Sequence, residues 1–214
     1  MSKNVNKSGH PRRRSAAILD AAADVFAARG FHGASTQDIA DVLGIKQASL
    51  YYYFPSKEVA LEQVCLRGVE GHLETAVSIA AAPGTARDKI RGLIEAHLWP
   101  LLERRSYVRT FLNERQHLPT ESRRRIGRLS RAYEKLIEDV LKSGMRGGEF
   151  RHDLDCRLAA LGLLGLINGV AAWYGREPKT DSKAALDRIV TEFARLYLEG
   201  VGARRSPGPR RPRR

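Results

Sequence analysis

The chain has 214 residues, 43% of them hydrophobic, and a formal net charge of +13. It is long and apolar enough for one large folded domain or two small ones, which excludes a chain disordered throughout. Cys65 and Cys156 lie far apart and form no CxxC, which argues against a zinc or disulfide framework and for a reducing cytoplasm.

The charge is unevenly placed. Lys3, Lys7, Arg12, Arg13 and Arg14 make residues 1–14 basic without an acid, and Arg204, Arg205, Arg210, Arg211, Arg213 and Arg214 do the same for residues 204–214. The stretch between them is left with +2. Such tails read either as nucleic-acid-seeking arms or as solubilising termini. The N-terminal tail lacks the apolar run of a signal peptide, so the expected location is cytoplasmic.

In chain order, residues 1–11 read as a disordered basic arm. From Arg12 to Gly30, Ile18, Ala22, Val25 and Phe26 recur at three- and four-residue spacing, one face of a helix. Arg13 and Arg14 stand at its start, the wrong end of the helix dipole for a cation, which favours an external anion as their partner. Ser35 with Asp38 has the form of a capping box, and Ile39, Ala40, Val42 and Leu43 give the next helix its apolar side. Gly44 ends it where a left-handed residue is needed. A second short helix runs from about Gln47 to Tyr53, closed by Pro55. Two helices around a glycine turn, with Ala40 and Ala48 at the crossing, make a helix-turn-helix.

A helix is expected from Ser56 to Ala80, with Gly68 and Gly71 favouring a bend, then a break at Ala81–Gly84. Thr85 caps a helix to Arg104 that Pro100 should kink. A short helix covers residues 106–118, and a long one runs from Thr120 to Ser143. Asp155 caps a helix to Tyr174 that is apolar around most of its circumference. Its charge-free run, Leu158–Gly175, falls at the short edge of the ~20 residues that span a membrane, so a buried helix is the favoured reading. A last helix starts at Asp181 or Ser182 and ends before Gly200. The fold expected is all-α, about nine helices.

The motif residues resemble the TetR family of bacterial transcriptional regulators. They are Ala28-Arg29-Gly30-Phe31, Ser35-Thr36 with Ile39-Ala40, Gly44, Leu50-Tyr51-Tyr52-Tyr53-Phe54 and Ser56-Lys57-Glu58. The resemblance covers residues 14–62 and departs at Lys46, where the family has a small hydroxyl residue. It implies an N-terminal three-helix helix-turn-helix DNA-binding domain, placed at residues 12–58, and a C-terminal helical ligand-binding and dimerisation domain at 59–203, before the basic tail of 204–214. It implies double-stranded DNA, a small-molecule effector and a second copy of the chain as partners, with no membrane and no cofactor.

Within that frame the second motif helix presents Lys46, Gln47, Ser49 and Tyr52 to the major groove, with Gln47 and Ser49 suited to base edges. Tyr51, Tyr53, Lys57 and Thr36 match positions at which the family touches phosphate, and Ser35 stands beside them. For Tyr53, packing on the first helix is an equal alternative. Dimer faces are expected on the last two helices, from Gly162, Leu166, Gly169 and Val170 on one and Ile189, Phe193 and Tyr197 on the other. Candidate effector contacts are Trp99, Tyr107, Phe111, Leu112, His117, Asn168 and Trp173, each of which also reads as core. Asn168, amid apolar neighbours, needs a partner: an effector, or Asn168 of the other copy. Arg123, Arg124, Arg125, Arg128 and Arg131 read as a solvated face or as a clamp for an anionic effector. Gly148-Glu149-Phe150-Arg151, Asp153-Leu154-Asp155 and Trp173-Tyr174 look like the C-terminal domains of TetR members that answer to acyl-CoA thioesters.

Two other function classes compete with this one. A non-specific architectural DNA-binding protein driven by its tails would show steep salt dependence and no preferred sequence. An enzyme is disfavoured, because the chain has no H-E-x-x-H, no G-x-S-x-G and no phosphate loop.

Overall fold

The computed structural model describes residues 10–202, with side chains from residue 14 onward. Residues 1–9 of the expected basic arm, the Arg13 side chain and the tail at 204–214 lie outside the described residues, while His10 and Pro11, expected in the arm, begin the first helix. The helices are α1 (His10–Gly33), α2 (Thr36–Leu43), α3 (Gln47–Leu50), α4 (Lys57–Val69), α5 (His72–Ala81), α6 (Ala86–Leu98), α7 (Pro100–Glu103), α8 (Arg105–Glu114), α9 (Thr120–Arg146), α10 (Cys156–Trp173) and α11 (Lys183–Val201), with a 3₁₀ turn at Arg115–His117. Among the described residues there is no strand, only an isolated bridge between Phe150 and Gly202. The nine expected helices map onto these segments because two of the nine are broken. Gly71, at φ 79°, separates α4 from α5. Pro100 begins α7 rather than kinking a continuous helix, since its missing N–H is harmless in a first turn.

Local chemistry sets the helix starts. Ser35 accepts from the Asp38 amide while Asp38 accepts from the Ser35 amide, and Thr85 and Asp88 repeat the arrangement. Ser56, Asp155 and Ser182 cap α4, α10 and α11. Lys46 gives α3 no side-chain cap, and α3 is a single turn, shorter than expected, continued to Phe54 by amides bonded back to Leu50. Gly44, at φ 62°, closes α2.

The chain divides into two units. The first holds residues up to Leu73 together with Pro100–Ser130; the second holds Glu74–Trp99 and the residues from Arg131 on. This differs from the boundary expected at residue 58, because α8 returns to pack on α1 and α4. The first core joins Ile18, Ala22, Phe26 and Phe31 to Ile39, Leu50, Phe54, Leu61, Val64, Tyr107 and Ile126. Gly68 lets α8 approach α4: a Cβ there would lie 3.0 Å from the Tyr107 carbonyl oxygen.

In the second unit α6 packs against α10 and α11, and Ile90, Leu93, Ile94, Ile137, Leu141, Leu163, Ile167 and Leu198 are buried. The Glu149 carboxylate accepts from the amides of Ala86 and Arg87 at 2.9 and 3.1 Å, stapling the start of α6. Phe150 fills the space opened by Gly144.

Candidate functional site

The reading face is assembled where α2 and α3 meet. Gln47 Nε2 donates to Thr36 Oγ1 at 2.7 Å, and Thr36 Oγ1 lies 3.4 Å from the Tyr51 hydroxyl. These three polar tips hold each other in place before any partner arrives. Lys46, Ser49 and Tyr51 beside them are exposed. Tyr52 is 86% exposed, an unusual position for an aromatic ring on a folded surface unless something covers it. Tyr53 is half-buried, edge-on to Tyr52 and packed against the first core, so its packing role is the one realised here. Arg14 is exposed near the start of α1.

Two expected contacts are otherwise engaged. Ser35 is committed to the α2 cap, donating its hydroxyl to Asp38 at 2.7 Å. That hydroxyl, the Ser35 amide and Arg29 hold the Asp38 carboxyl below its ordinary range. Lys57, expected on phosphate, donates to the carbonyls of Phe31 and Ala34 at 2.9 Å each, and its ammonium sits 4.3 Å from the Phe31 ring centroid.

The seven candidate effector contacts are divided between the two units. Tyr107, Phe111, Leu112 and His117 fall in the first; Trp99, Asn168 and Trp173 fall in the second. Tyr107 is buried and donates to Asp20 Oδ1 at 2.6 Å. The His117 ring stacks on Phe31. Asn168 has a partner in its own chain for its side-chain oxygen. His97 Nε2 lies 3.0 Å from Asn168 Oδ1, and His97 Nδ1 lies 3.2 Å from the Tyr133 hydroxyl. An amide oxygen only accepts, so with the amide so oriented His97 donates to Asn168 and takes the Tyr133 proton. Burial pushes the Tyr133 hydroxyl pKa upward. In the sequence His97 reads as a surface or capped histidine and Tyr133 as part of the apolar side of the long helix; the structure joins the two by a hydrogen bond.

The acyl-CoA-like stretch is occupied with structure: Glu149 staples α6, Phe150 is buried and Asp155 caps α10. Arg123, Arg124, Arg125, Arg128 and Arg131 of α9 are all exposed; Arg125 pairs with Glu62 at 2.5 Å and Arg123 donates to the Gln116 carbonyl.

Of the expected dimer residues, Gly162 and Gly169 are exposed and Leu166 is half-buried, on a face that also carries exposed Leu158 and Leu161. Val170 and Ile189 are buried within their own chain, which removes them from any free face; apolar periodicity could not tell the two sides of α10 apart. Phe193 packs edge-on to Trp173, and Tyr197 donates to the Ala159 carbonyl at 2.9 Å. By length and composition α10 is the one helix among the described residues apolar enough to cross a membrane, yet Leu163, Ile167 and Val170 on its inner side belong to the buried interior.

A reading helix with uncovered polar tips, carried on an all-helical scaffold, defines a helix-turn-helix DNA-binding protein. Comparison with known proteins gives the family. The profile described as bacterial regulatory proteins, tetR family, matches residues 18–64, and the tetracyclin repressor-like C-terminal domain matches residues 83–201. The chain is 29% identical to the HTH-type transcriptional repressor KstR2 of Rhodococcus jostii, over 92% of this chain and 94% of that one. It is 27% identical to the fatty acid metabolism regulator protein of Bacillus subtilis, over 86% and 93%. The solved structure of the fatty acid degradation regulator FadR from Bacillus halodurans superposes with a TM-score of 0.71 at 26% identity, covering 93% of this chain and all of that one. The chain belongs to the TetR family of transcriptional regulators.

Proposed function

We propose that this regulator is a repressor that binds a near-palindromic operator as a homodimer and is released by an apolar, anionic metabolite such as an acyl-CoA. The observation that carries the DNA reading is the tied set Gln47–Thr36–Tyr51 beside exposed Lys46, Ser49 and Tyr52. Gln47 and Ser49 select bases; Tyr51, Thr36 and Lys46 set register on phosphate. A single head buries too little surface for tight specific binding, so two are needed. The exposed stripe of Leu158, Leu161, Gly162, Gly165 and Gly169 on α10 supplies the dimer face. The likeness to regulators named for fatty acid metabolism and degradation supports the effector class. Within this reading the protein acts by binding rather than by catalysis, in the cytoplasm at the nucleoid.

The test is selection of bound duplexes from a randomised library. Wild type should enrich an inverted repeat, and acyl-CoA thioesters of graded chain length should be screened for its release. Gln47→Ala with Ser49→Ala should relax the preferred bases, each lost contact lowering discrimination by about 1–3 kcal/mol. An unaltered preference in the double variant would overturn the assignment of the base contacts. Enrichment of no sequence by wild type would overturn the function.

A further inference from the structure

Residues 100–130 belong by sequence to the C-terminal family domain, yet they pack in the same unit as the reading head. The seam is a ladder of polar contacts between α8 and α1. Ser106 donates to Asp24, Tyr107 to Asp20 and Thr110 to the Ala23 carbonyl. The ladder ends at an elbow. Gly30, at φ 69° and ψ 169°, breaks the last turn of α1, so the Phe31 amide needs an acceptor beyond it. Glu114 Oε2, from the end of α8, takes that proton at 2.8 Å.

Every part of Phe31 is then held. Its carbonyl receives the Lys57 ammonium from α4. Its ring lies against His117, with centroids 5.6 Å apart and planes 13° apart. His32, the next residue, meets His117 nitrogen to nitrogen at 3.2 Å. Ser35, the cap that starts α2, follows three residues later. The direction of α2, and of α3 behind it, is therefore set at Phe31 by one acceptor from the C-terminal domain and one donor from α4.

We infer that Glu114 is a positioning residue for DNA reading: its carboxylate, supplied by the C-terminal domain, holds the Phe31 elbow that aims α2 and α3. This rests on the proposed DNA-reading function and names how the rest of the chain reaches the head. A displacement of the last turn of α8 by about 1 Å takes the acceptor out of hydrogen-bond range, so an effector need move this helix end very little to release the elbow.

The experiment uses the full chain and the duplex that wild type enriches from a random library. Glu114→Ala should lower affinity for that duplex by about tenfold, as expected when a charged acceptor is withdrawn from a part-buried donor. Amide exchange should quicken at residues 29–43 and stay as in wild type at residues 156–201. Glu114→Gln keeps an acceptor oxygen and should recover most of the affinity. Should Glu114→Ala not fold, Glu114→Asp, which keeps the charge and loses reach, carries the same expectation. Unchanged duplex affinity in the Ala or Asp variant overturns the assignment, as does faster exchange spread evenly over the chain. Failure of wild type to enrich any duplex is a different result and overturns the DNA-reading function itself.

Discussion

Lys57 has three donor hydrogens and gives two of them to the carbonyls of Phe31 and Ala34. A lysine in that position serves the fold before it serves a phosphate. Substitution by Met keeps most of the aliphatic stem and removes both bonds. Each is a bond from a charged donor, worth about 1.5–3 kcal/mol when lost from a part-buried site. Lys57→Met is therefore expected to lower the unfolding midpoint in urea and operator affinity together. A loss of affinity with a lower salt slope and no change in stability would instead identify Lys57 as a phosphate contact. Thr36 and Gln47 differ from it: they are half-buried and bond each other outside the buried core, and a DNA duplex can exchange that bond for its own without disturbing the core.

At the scale of the elements, glycines do two opposite things. Gly144 in α9 is an obligatory gap: a Cβ there would stand 2.4 Å from the Phe150 ring and 2.6 Å from the Ala86 Cβ. Gly144→Ala should destabilise by about 1–3 kcal/mol through overpacking, despite the better helix propensity of alanine; equilibrium denaturation checks it, and a gain in stability would show that the α6–α9 contact is loose. Gly162, Gly165 and Gly169 in α10 meet nothing within 4 Å of where a Cβ would stand. They cost α10 about 1 kcal/mol each in propensity without serving the chain's own packing. Close approach of a second helix is the physical use left for them.

For the whole molecule, the bare glycines of α10 imply assembly through that helix. Leu161 is 40% exposed and Leu158 65% exposed, so a long charged side chain placed there can reach solvent in a single chain. Leu161→Arg should leave the helical content of the monomer intact, shift sedimentation to the single-chain mass and weaken operator binding by the loss of paired heads. A dimer that persists unchanged would move the interface elsewhere.

Much of this was legible before any coordinates. Ser35 with Asp38, Gly44 and Ser56 announce helix ends through short-range hydrogen bonds and backbone sterics, which depend on a few adjacent residues alone. The ordered set from Ala28 to Glu58 carried the reading head for the same reason. What the sequence could not express is which long-range partner each side chain takes. Lys57 reads as a phosphate ligand until Phe31 and Ala34 are placed against it. Asn168 reads as an orphan until His97 and Tyr133 arrive from α6 and α9. Val170 and Gly169 are neighbours in sequence, and only packing decides that one is buried and the other bare. The sequence by itself determined the helices, their caps and the class of protein, because those follow from local periodicity and bonding. Tertiary structure alone decided that α8 belongs with the head, because that grouping rests on contacts between residues more than eighty positions apart, such as Phe31 with Glu114.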